Sequence, residues 1–418
     1  MATETATVDV DLMRTAELGD AILTELDRLR ELDPVHWSSA SSAWLVTRHA
    51  DVVRGFSGEL PLSVHRLQLI HFLRMSAEER ERRIPSLVRY VPRWIVETDP
   101  PEHTRLRKLL VKAFSKKVVE GIRPYVRERV ALLLDKARRE RQLEFVEGMA
   151  RQLPGAVILK LIGLPEENMA RLRGWANAFQ VGLASSHPRP EWLEMADRAM
   201  AEMNELFSRE IDKRRRNPQE DLLTSLLHAT EAGDTLSEDE MLAALSLLLV
   251  AGHDTTSNSM TLGVVALSRS PQSWAWMHAH PERTLDGVNE IMRVSAMSAA
   301  QPRIALEDFE WHGKLIRKGE PVMLMQAAGN RDPRVYATPD RLNFEHSNDQ
   351  VLTFGPGLHH CIGHLLAKMQ MTEFFGPLVQ QFERIEVLDR TLDYMPQIVF
   401  RGLFALNVRF HPRATGSS

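Results

Sequence analysis

One cysteine, Cys361, is all that the 418 residues contain, and a lone thiol cannot be half of an internal disulfide. So little cysteine suits a reducing compartment. Long apolar runs are missing too: the longest, residues 241–252, falls far short of the roughly 20 residues that cross a bilayer. The N-terminus, Met1-Ala-Thr-Glu-Thr-Ala-Thr-Val-Asp-Val-Asp, is acidic and lacks the basic region and apolar core of a secretory signal. A soluble, cytoplasmic protein without a membrane partner is expected. An excess of one sign of charge is missing as well: 52 basic against 56 acidic residues leave a formal net charge of −4, which gives no reason to expect a nucleic-acid partner. The basic run Lys213-Arg214-Arg215-Arg216 precedes Asn217-Pro218 and reads as a solvated helix end. No linker, low-complexity tract or internal repeat divides the chain, so residues 1–418 are read as one domain, and a monomer is expected.

What is present is mainly helical period. Residues 104–114, 117–141, 154–162, 190–216, 237–268, 285–296 and 363–380 predict helices from apolar spacings of three and four. Strand-like runs are fewer, at 44–47, 309–315, 321–326 and 397–410. The expected fold class is mainly α with small β-sheets.

Cys361 stands in Phe354-Gly355-Pro356-Gly357-Leu358-His359-His360-Cys361-Ile362-Gly363. Free cysteine is among the most buried residue types, so one reading is a small apolar core residue. The neighbours open another. Three glycines, and a helix beginning just after them, put the sulfur on a tight loop at a helix N-terminus. There the dipole and free backbone N–H groups favour a thiolate and tune any metal it binds. Zinc and iron–sulfur sites usually draw several cysteine or histidine ligands from nearby spacings, and no second cysteine exists. One thiolate on an iron whose other ligands come from a porphyrin fits better.

This loop resembles that of the cytochrome P450 family, Phe-Gly-x-Gly-x-His-x-Cys-x-Gly, at all six fixed positions. At roughly one chance in twenty per position, six coincide in on the order of one chain in a hundred thousand. The resemblance runs from Trp44-Leu-Val-Thr-Arg through Asn330-Arg-Asp-Pro to Arg401-Gly-Leu. It implies a helix-rich triangular body, with a β-rich lobe within about 1–65 and 305–335 and a helical haem-binding core over 100–300 and 350–385. It also implies haem b (iron protoporphyrin IX), with Cys361 as the axial iron ligand and Gly355 and Gly363 in the cofactor loop. Phe354 then shields the sulfur and His359 points at a haem propionate.

Ser237-Glu238-Asp239-Glu240 is a capping box, and the run after it is apolar on nearly every face, as befits a helix in the centre of a large protein. Into that helix the sequence puts Ala251-Gly252-His253-Asp254-Thr255-Thr256. A buried, unpaired carboxylate costs roughly several kcal/mol, so Asp254 needs a partner or a task. Gly252, and a threonine hydroxyl bonded back one turn, loosen the helical ladder. The stretch reads either as a kink with satisfied polar groups or as a functional segment. By resemblance it is the oxygen-activating segment, in which Ala251 and Gly252 open a groove beside the haem and Asp254 and Thr255 are the acid–alcohol pair. Cleaving dioxygen requires two protons at one oxygen atom; Thr255 can hold an ordered water and Asp254 can connect it to bulk solvent. Val250, Ala299, Ala300 and Leu403 are the expected substrate pocket, the two alanines leaving room for a bulky molecule.

His103 and Arg107 lie four apart on one helix face and Arg303 heads a predicted strand; each alone is consistent with surface salt bridging. The resemblance assigns these three, with His359, to the haem propionates, which arginine meets with two directed donors. Glu290 and Arg293 resemble the family's Glu-x-x-Arg pair, with Arg341 as a third member and a structural role. Departures from the family pattern fall at Glu345, His346 and Gln350, and at residues 294–300, where a proline is common. Arg105, Lys108, Lys112, Lys116 and Lys117 read either as a solvated helix face or as a docking patch for an acidic ferredoxin or flavodoxin, since no flavin or nicotinamide domain is evident. The implied activity is that of a haem-thiolate monooxygenase. It would use O2 to hydroxylate or epoxidise an apolar small organic molecule, with electrons from NAD(P)H through a separate ferredoxin and ferredoxin reductase. Two rivals stand beside it: a peroxide-using or isomerising haem-thiolate enzyme, against which the Asp254–Thr255 pair argues, and a non-catalytic haem-binding ligand sensor.

Overall fold

Apolar period sets the architecture. The computed structural model describes residues 9–65, 75–186, 189–345 and 349–414 and is 58% helical. Its helices of nine residues or more are α1 Ala21–Leu32, α2 His49–Ser57, α3 Glu102–Ala113, α4 Arg123–Glu140, α5 Gln152–Ile162, α6 Met169–Gly182, α7 Pro190–Arg216, α8 Glu238–Ser268, α9 Pro271–Ala279, α10 Thr284–Ser295 and α11 His364–Gln381. The helix expected over 117–141 is two, Lys116–Gly121 and α4. Gly121 ends the first and Pro124 lies in the first turn of the second, where its missing N–H costs nothing. Helices α1, α2, α6 and α9 are additions to those expected.

The ten strands among the described residues are β1 Val35–Ser38, β2 Ala43–Val46, β3 Leu62–Ser63, β4 Gln142–Glu144, β5 Gln301–Ala305, β6 Phe309–Trp311, β7 Lys314–Ile316, β8 Pro321–Leu324, β9 Phe382–Val387 and β10 Asn407–Pro412. They form a five-stranded sheet in the order β1-β2-β8-β5-β3, a three-stranded sheet β4-β10-β9, and the hairpin β6-β7. The run at 309–315 is therefore not one strand: it reverses at His312 (φ 51°) and Gly313 (φ 71°). Of the run at 397–410 only its end joins β10; the earlier part makes single bridges such as Ser298 to Phe400.

Helix α8 runs through the main core. Both halves of its capping box form, Glu240 N–H to Ser237 Oγ and Ser237 N–H to Glu240 Oε2. Four hydroxyls of its second half are satisfied by bonding back one turn: Thr255 to the Ala251 carbonyl (2.6 Å), Ser257 to His253 (2.8 Å), Ser259 to Thr255 (2.9 Å) and Thr261 to Ser257 (2.9 Å). That is how a helix this polar in its second half remains unbroken in the interior. Among the described residues no helix is long and apolar enough to cross a membrane.

A buried ion pair ties α10 to the chain that leads into the cysteine loop. Arg293 donates to both oxygens of Glu290 (2.8 and 2.7 Å) and to the carbonyls of Asn330 (2.7 Å), Pro339 (2.8 Å) and Arg341 (3.0 Å). Asn330 in turn accepts from the Leu352 N–H (2.7 Å). Arg341 departs from expectation: it contributes its backbone carbonyl, while its side chain is exposed. The Glu290 oxygens are already taken by the Arg293 fork and, on Oε1, by the Asn343 N–H (2.8 Å).

Candidate active site

The loop Phe354–Gly363 needs two left-handed backbone positions, Gly355 (φ 66°) and Gly357 (φ 77°). At Gly357 a Cβ would also stand 2.5 Å from the Phe56 carbonyl oxygen. The turn closes through Cys361 N–H to the Phe354 carbonyl (3.0 Å) and His360 N–H to the Gly357 carbonyl (3.1 Å), and Gly363 then caps α11. The sulfur of Cys361 lines a cavity, and the exposure of this residue is to that cavity rather than to the outer surface. Enclosure by protein pushes its thiol pKa up, against the N–H groups of Gly363 and His364 and the charge of Arg107, which pull it down. Phe354 packs beside the loop, its ring 6.4 Å from that of His360 and 6.0 Å from that of His364, with the Lys368 ammonium 5.5 Å from its centre. Among the described residues no three His, Cys, Asp or Glu side chains gather as a metal site.

A second wall of the same cavity is one stripe of α8: Ala244, Leu247, Leu248, Ala251, Gly252, Thr255 and Thr256. The alternating steps of three and one are those of a single helix face. Asp254 lies off that stripe, with His253 Nδ1 2.8 Å from its Oδ1, so the structure brings Thr255 to the cavity and not its acidic neighbour. Gly252 has Ile158 against it, where a Cβ would come within 3.1 Å of Cδ1.

Cationic and imidazole groups fill a third side. His103, 1% exposed, has hydrogen-bond partners on neither ring nitrogen, and its ring centre is 4.0 Å from that of His359. Burial, and then the charge of Arg107, push its pKa down, with Asp99 opposing. Arg107 Nη2 donates to the His360 carbonyl (2.8 Å), and Arg303 lies 4.9 Å over the Phe56 ring. All four line the cavity.

The expected substrate wall is displaced. Val250, Ala299, Ala300 and Leu403 are not in the lining; Met297, Ser298, Gln301 and Phe400 are. Ala299 and Ala300 both donate to the Val399 carbonyl (2.9 and 3.2 Å), and Ala300 packs with Leu45 and Met323. Leu403 is fully buried, and Val250 packs against the main core from another α8 face. Two signals lay in the sequence: Gln301 shares the strand face of Arg303, and stepping back from Ala251 by three and four reaches Leu248, Leu247 and Ala244. The basic patch is partly neutralised: Arg105 pairs with Glu102, Asp234 and Glu240, and Lys112 with Glu231 (2.5 Å). Lys116 and Lys117 make no ion pair among the described residues. Glu345 pairs with Arg283 (3.3 Å), Gln350 contributes a carbonyl to His49, and His346 lies outside the described residues.

Comparison with known proteins gives this geometry its relatives. The family model described as Cytochrome P450 matches residues 183–399. The chain is 30% identical over 396 residues to the polyketide biosynthesis cytochrome P450 PksS of Bacillus subtilis (strain 168), covering 92% of this chain and 94% of that protein. The solved structure of PksS superposes with a TM-score of 0.84 at 27% identity, over 94% and 98% of the two chains. Mycinamicin IV hydroxylase/epoxidase of Micromonospora griseorubida is 33% identical over 390 residues, 92% of this chain and 94% of that one. A crystal structure of P450BioI in complex with an acyl carrier protein ligated to hexadec-9Z-enoic acid aligns at 27% identity with a TM-score of 0.83, over 95% and 100%.

Proposed function

The chain belongs to the cytochrome P450 family and is a monooxygenase of it; on that premise we propose that it hydroxylates or epoxidises an apolar small organic molecule held against the α8 stripe. The carrying observation is that Cys361 and Thr255 open onto one cavity whose remaining walls combine apolar side chains with Arg107, Arg303 and the buried, partnerless imidazole of His103. Haem, the family's cofactor, supplies the dioxygen-activating centre when bound. The buried, partnerless nitrogens of His103 support its fit, because buried polar atoms otherwise find partners and a propionate would satisfy them. Cys361 is the residue that would hold the iron, steadied by the N–H groups of Gly363 and His364. Arg107, Arg303, His103 and His359 would hold the propionates, and Phe354 covers the sulfur's flank.

The remaining residues bind, exclude water or move protons. Leu247, Leu248, Ile95, Val96, Met297 and Phe400 give the cavity its apolar surface and support an apolar substrate. Ala251 and Gly252 keep side-chain bulk out of the groove. The Thr255 hydroxyl, now donating to the Ala251 carbonyl, can turn to hold a water beside the substrate. Asp254 supplies protons to that water from behind the stripe. Electrons come from NAD(P)H by way of a ferredoxin reductase and a ferredoxin or flavodoxin; Lys116 and Lys117 are the part of the basic patch left to meet an acidic donor. Residues 1–418 act as one monomeric, cytoplasmic domain in this reading. The name of the Micromonospora relative, a hydroxylase/epoxidase, supports both reaction types.

The test is to titrate the purified haem-bound chain with macrolactones, terpenoid alcohols and fatty acids, following the haem spin-state shift. The best ligand is then supplied with NADPH, reductase, ferredoxin and isotopically labelled O2. Product carrying one labelled oxygen atom is expected. Product formed with peroxide and never with the electron-transfer system would establish the peroxide-using alternative, and no product with either would leave a ligand sensor.

A further inference from the structure

Behind the cavity wall, His253 is the one fully enclosed imidazole of α8, 1% exposed, and no step above uses it. Its Nε2 lies 3.2 Å from the Arg151 carbonyl and its Nδ1 2.8 Å from Asp254 Oδ1. A carbonyl oxygen only accepts, so Nε2 must carry a proton. Nδ1 is then left facing a carboxyl group. Either it too is protonated and donates to a carboxylate, or the carboxyl is protonated and donates to it; a neutral imidazole beside a bare carboxylate would set two acceptors 2.8 Å apart. Both permitted arrangements hold one proton more than that forbidden one, and both leave the pair neutral overall, which suits an imidazole as deeply buried as that of His253.

We propose that His253 is a positioning residue that keeps a transferable proton on the His253–Asp254 pair, one residue from Thr255 and on the side of α8 away from the substrate. The inference rests on the proton-delivery reading of Thr255 given above and names the source of the proton. The one proton shared between Nδ1 and Oδ1 passes to the Asp254 carboxylate and leaves from it toward the water held at Thr255, which leaves two acceptors facing each other and so favours prompt recapture of a proton. Solvent, which reaches the partly exposed Asp254 carboxyl, restores the count. The Arg151 side chain does not compete, since it turns to Glu147. On α5, packed against the ring, Gly155 comes so close that a Cβ there would stand 3.3 Å from His253 Cδ2, and it carries no charge.

The direct test is nitrogen-15 spectroscopy of histidine-labelled, haem-bound protein in its reduced, carbon-monoxide-bound form at neutral pH, with His253 assigned from the His253→Asn variant. A protonated Nε2 and an Nδ1 sharing a proton are expected, and the Nδ1 signal should change in Asp254→Asn. A bare, unprotonated Nδ1 that accepts no hydrogen bond overturns the proposal, whatever the variants do. In turnover, His253→Asn keeps a donor for the Arg151 carbonyl but cannot store a proton, so product formed per electron should fall roughly tenfold. Asp254→Asn should fall alike, and the double variant no further, with the carbon-monoxide spectrum unchanged in all three. Full coupling in His253→Asn beside a loss in Asp254→Asn rejects the role of His253 and leaves the proton-delivery reading standing. Full coupling in His253→Asn, Asp254→Asn and Thr255→Ala together rejects both.

Discussion

Replacing Arg293 by methionine removes a cation that is wholly enclosed, and the structure says what is left behind. Two bonds to Glu290 and three to the carbonyls of Asn330, Pro339 and Arg341 vanish, as does the guanidinium 4.5 Å over the Tyr336 ring. Glu290, 1% exposed, keeps a carboxylate without its cation. Breaking such a buried pair from one side costs about 3–5 kcal/mol. With an unfolding entropy of about 2.1 cal/mol/K per residue, the whole chain loses about 0.9 kcal/mol per kelvin, so the melting temperature should fall by about 3–6 °C. Urea unfolding and thermal melts of the haem-bound protein read both quantities. Because Asn330 accepts from Leu352, just ahead of Phe354, the haem should also be lost at lower urea. A Glu290→Gln/Arg293→Met double variant removes both charges and should recover about half of the loss. An Arg293→Met cost below about 1 kcal/mol, or a double variant costing the full sum of the singles, would refute the reasoning.

Gly357→Ala meets both a left-handed φ of 77° and the Phe56 carbonyl 2.5 Å away, whereas Gly313→Ala, at φ 71°, meets open space. The second should cost about 1–2 kcal/mol of backbone strain and the first clearly more, with lowered haem content by pigment assay. Asp20 binds Tyr394, Arg401 and Arg269 and is held down to about 2 despite the opposing effect of burial. A carboxyl depressed from 3.8 stabilises the fold above that value and loses its contribution as pH falls through about 2; discounted for its 43% exposure, it is worth about 1 kcal/mol. Asp20→Asn should therefore be less stable than the parent at neutral pH by that amount in urea melts, with the gap closing in acid; a gap that is unchanged at pH 3 would contradict this. Thr255→Ala should still reduce oxygen but release most electrons as peroxide, read as hydrogen peroxide formed per NADPH consumed; full coupling to product would remove the hydroxyl from the account.

Helices with strong boundary chemistry were legible in the sequence. Residues 190–216 form α7 over that same span, with Pro190 opening it, and the capping box at Ser237 starts α8. The cysteine loop was legible because its glycines answer backbone demands that side chains cannot meet. Helix α6 was not: Leu172, Trp175, Ala176 and Phe179 have the right period, but Arg171, Arg173, Gly174 and Asn177 dilute it, and its apolar face is settled by packing against α7. The Ala299–Ala300 part of the substrate wall was missed by one residue because the turn of these two away from the cavity is set by long-range backbone bonds, Ala299 to Val399 and Arg401 to Met297 (2.7 Å). The direction of Asp254 was open to the helical period, since of residues 251–256 all but 253 and 254 share the stripe; its partner His253 was hidden by being its neighbour in the chain.

The central claim is that Cys361 holds the iron of a haem through a thiolate. It is tested most directly by the absorption spectrum of the reduced, carbon-monoxide-bound protein beside that of Cys361→His. The account predicts a Soret band displaced to the long wavelength of a thiolate-ligated haem in the parent and its return to the ordinary position in the variant. A parent spectrum with its band where a histidine-ligated haem absorbs, unchanged by the substitution, would contradict it.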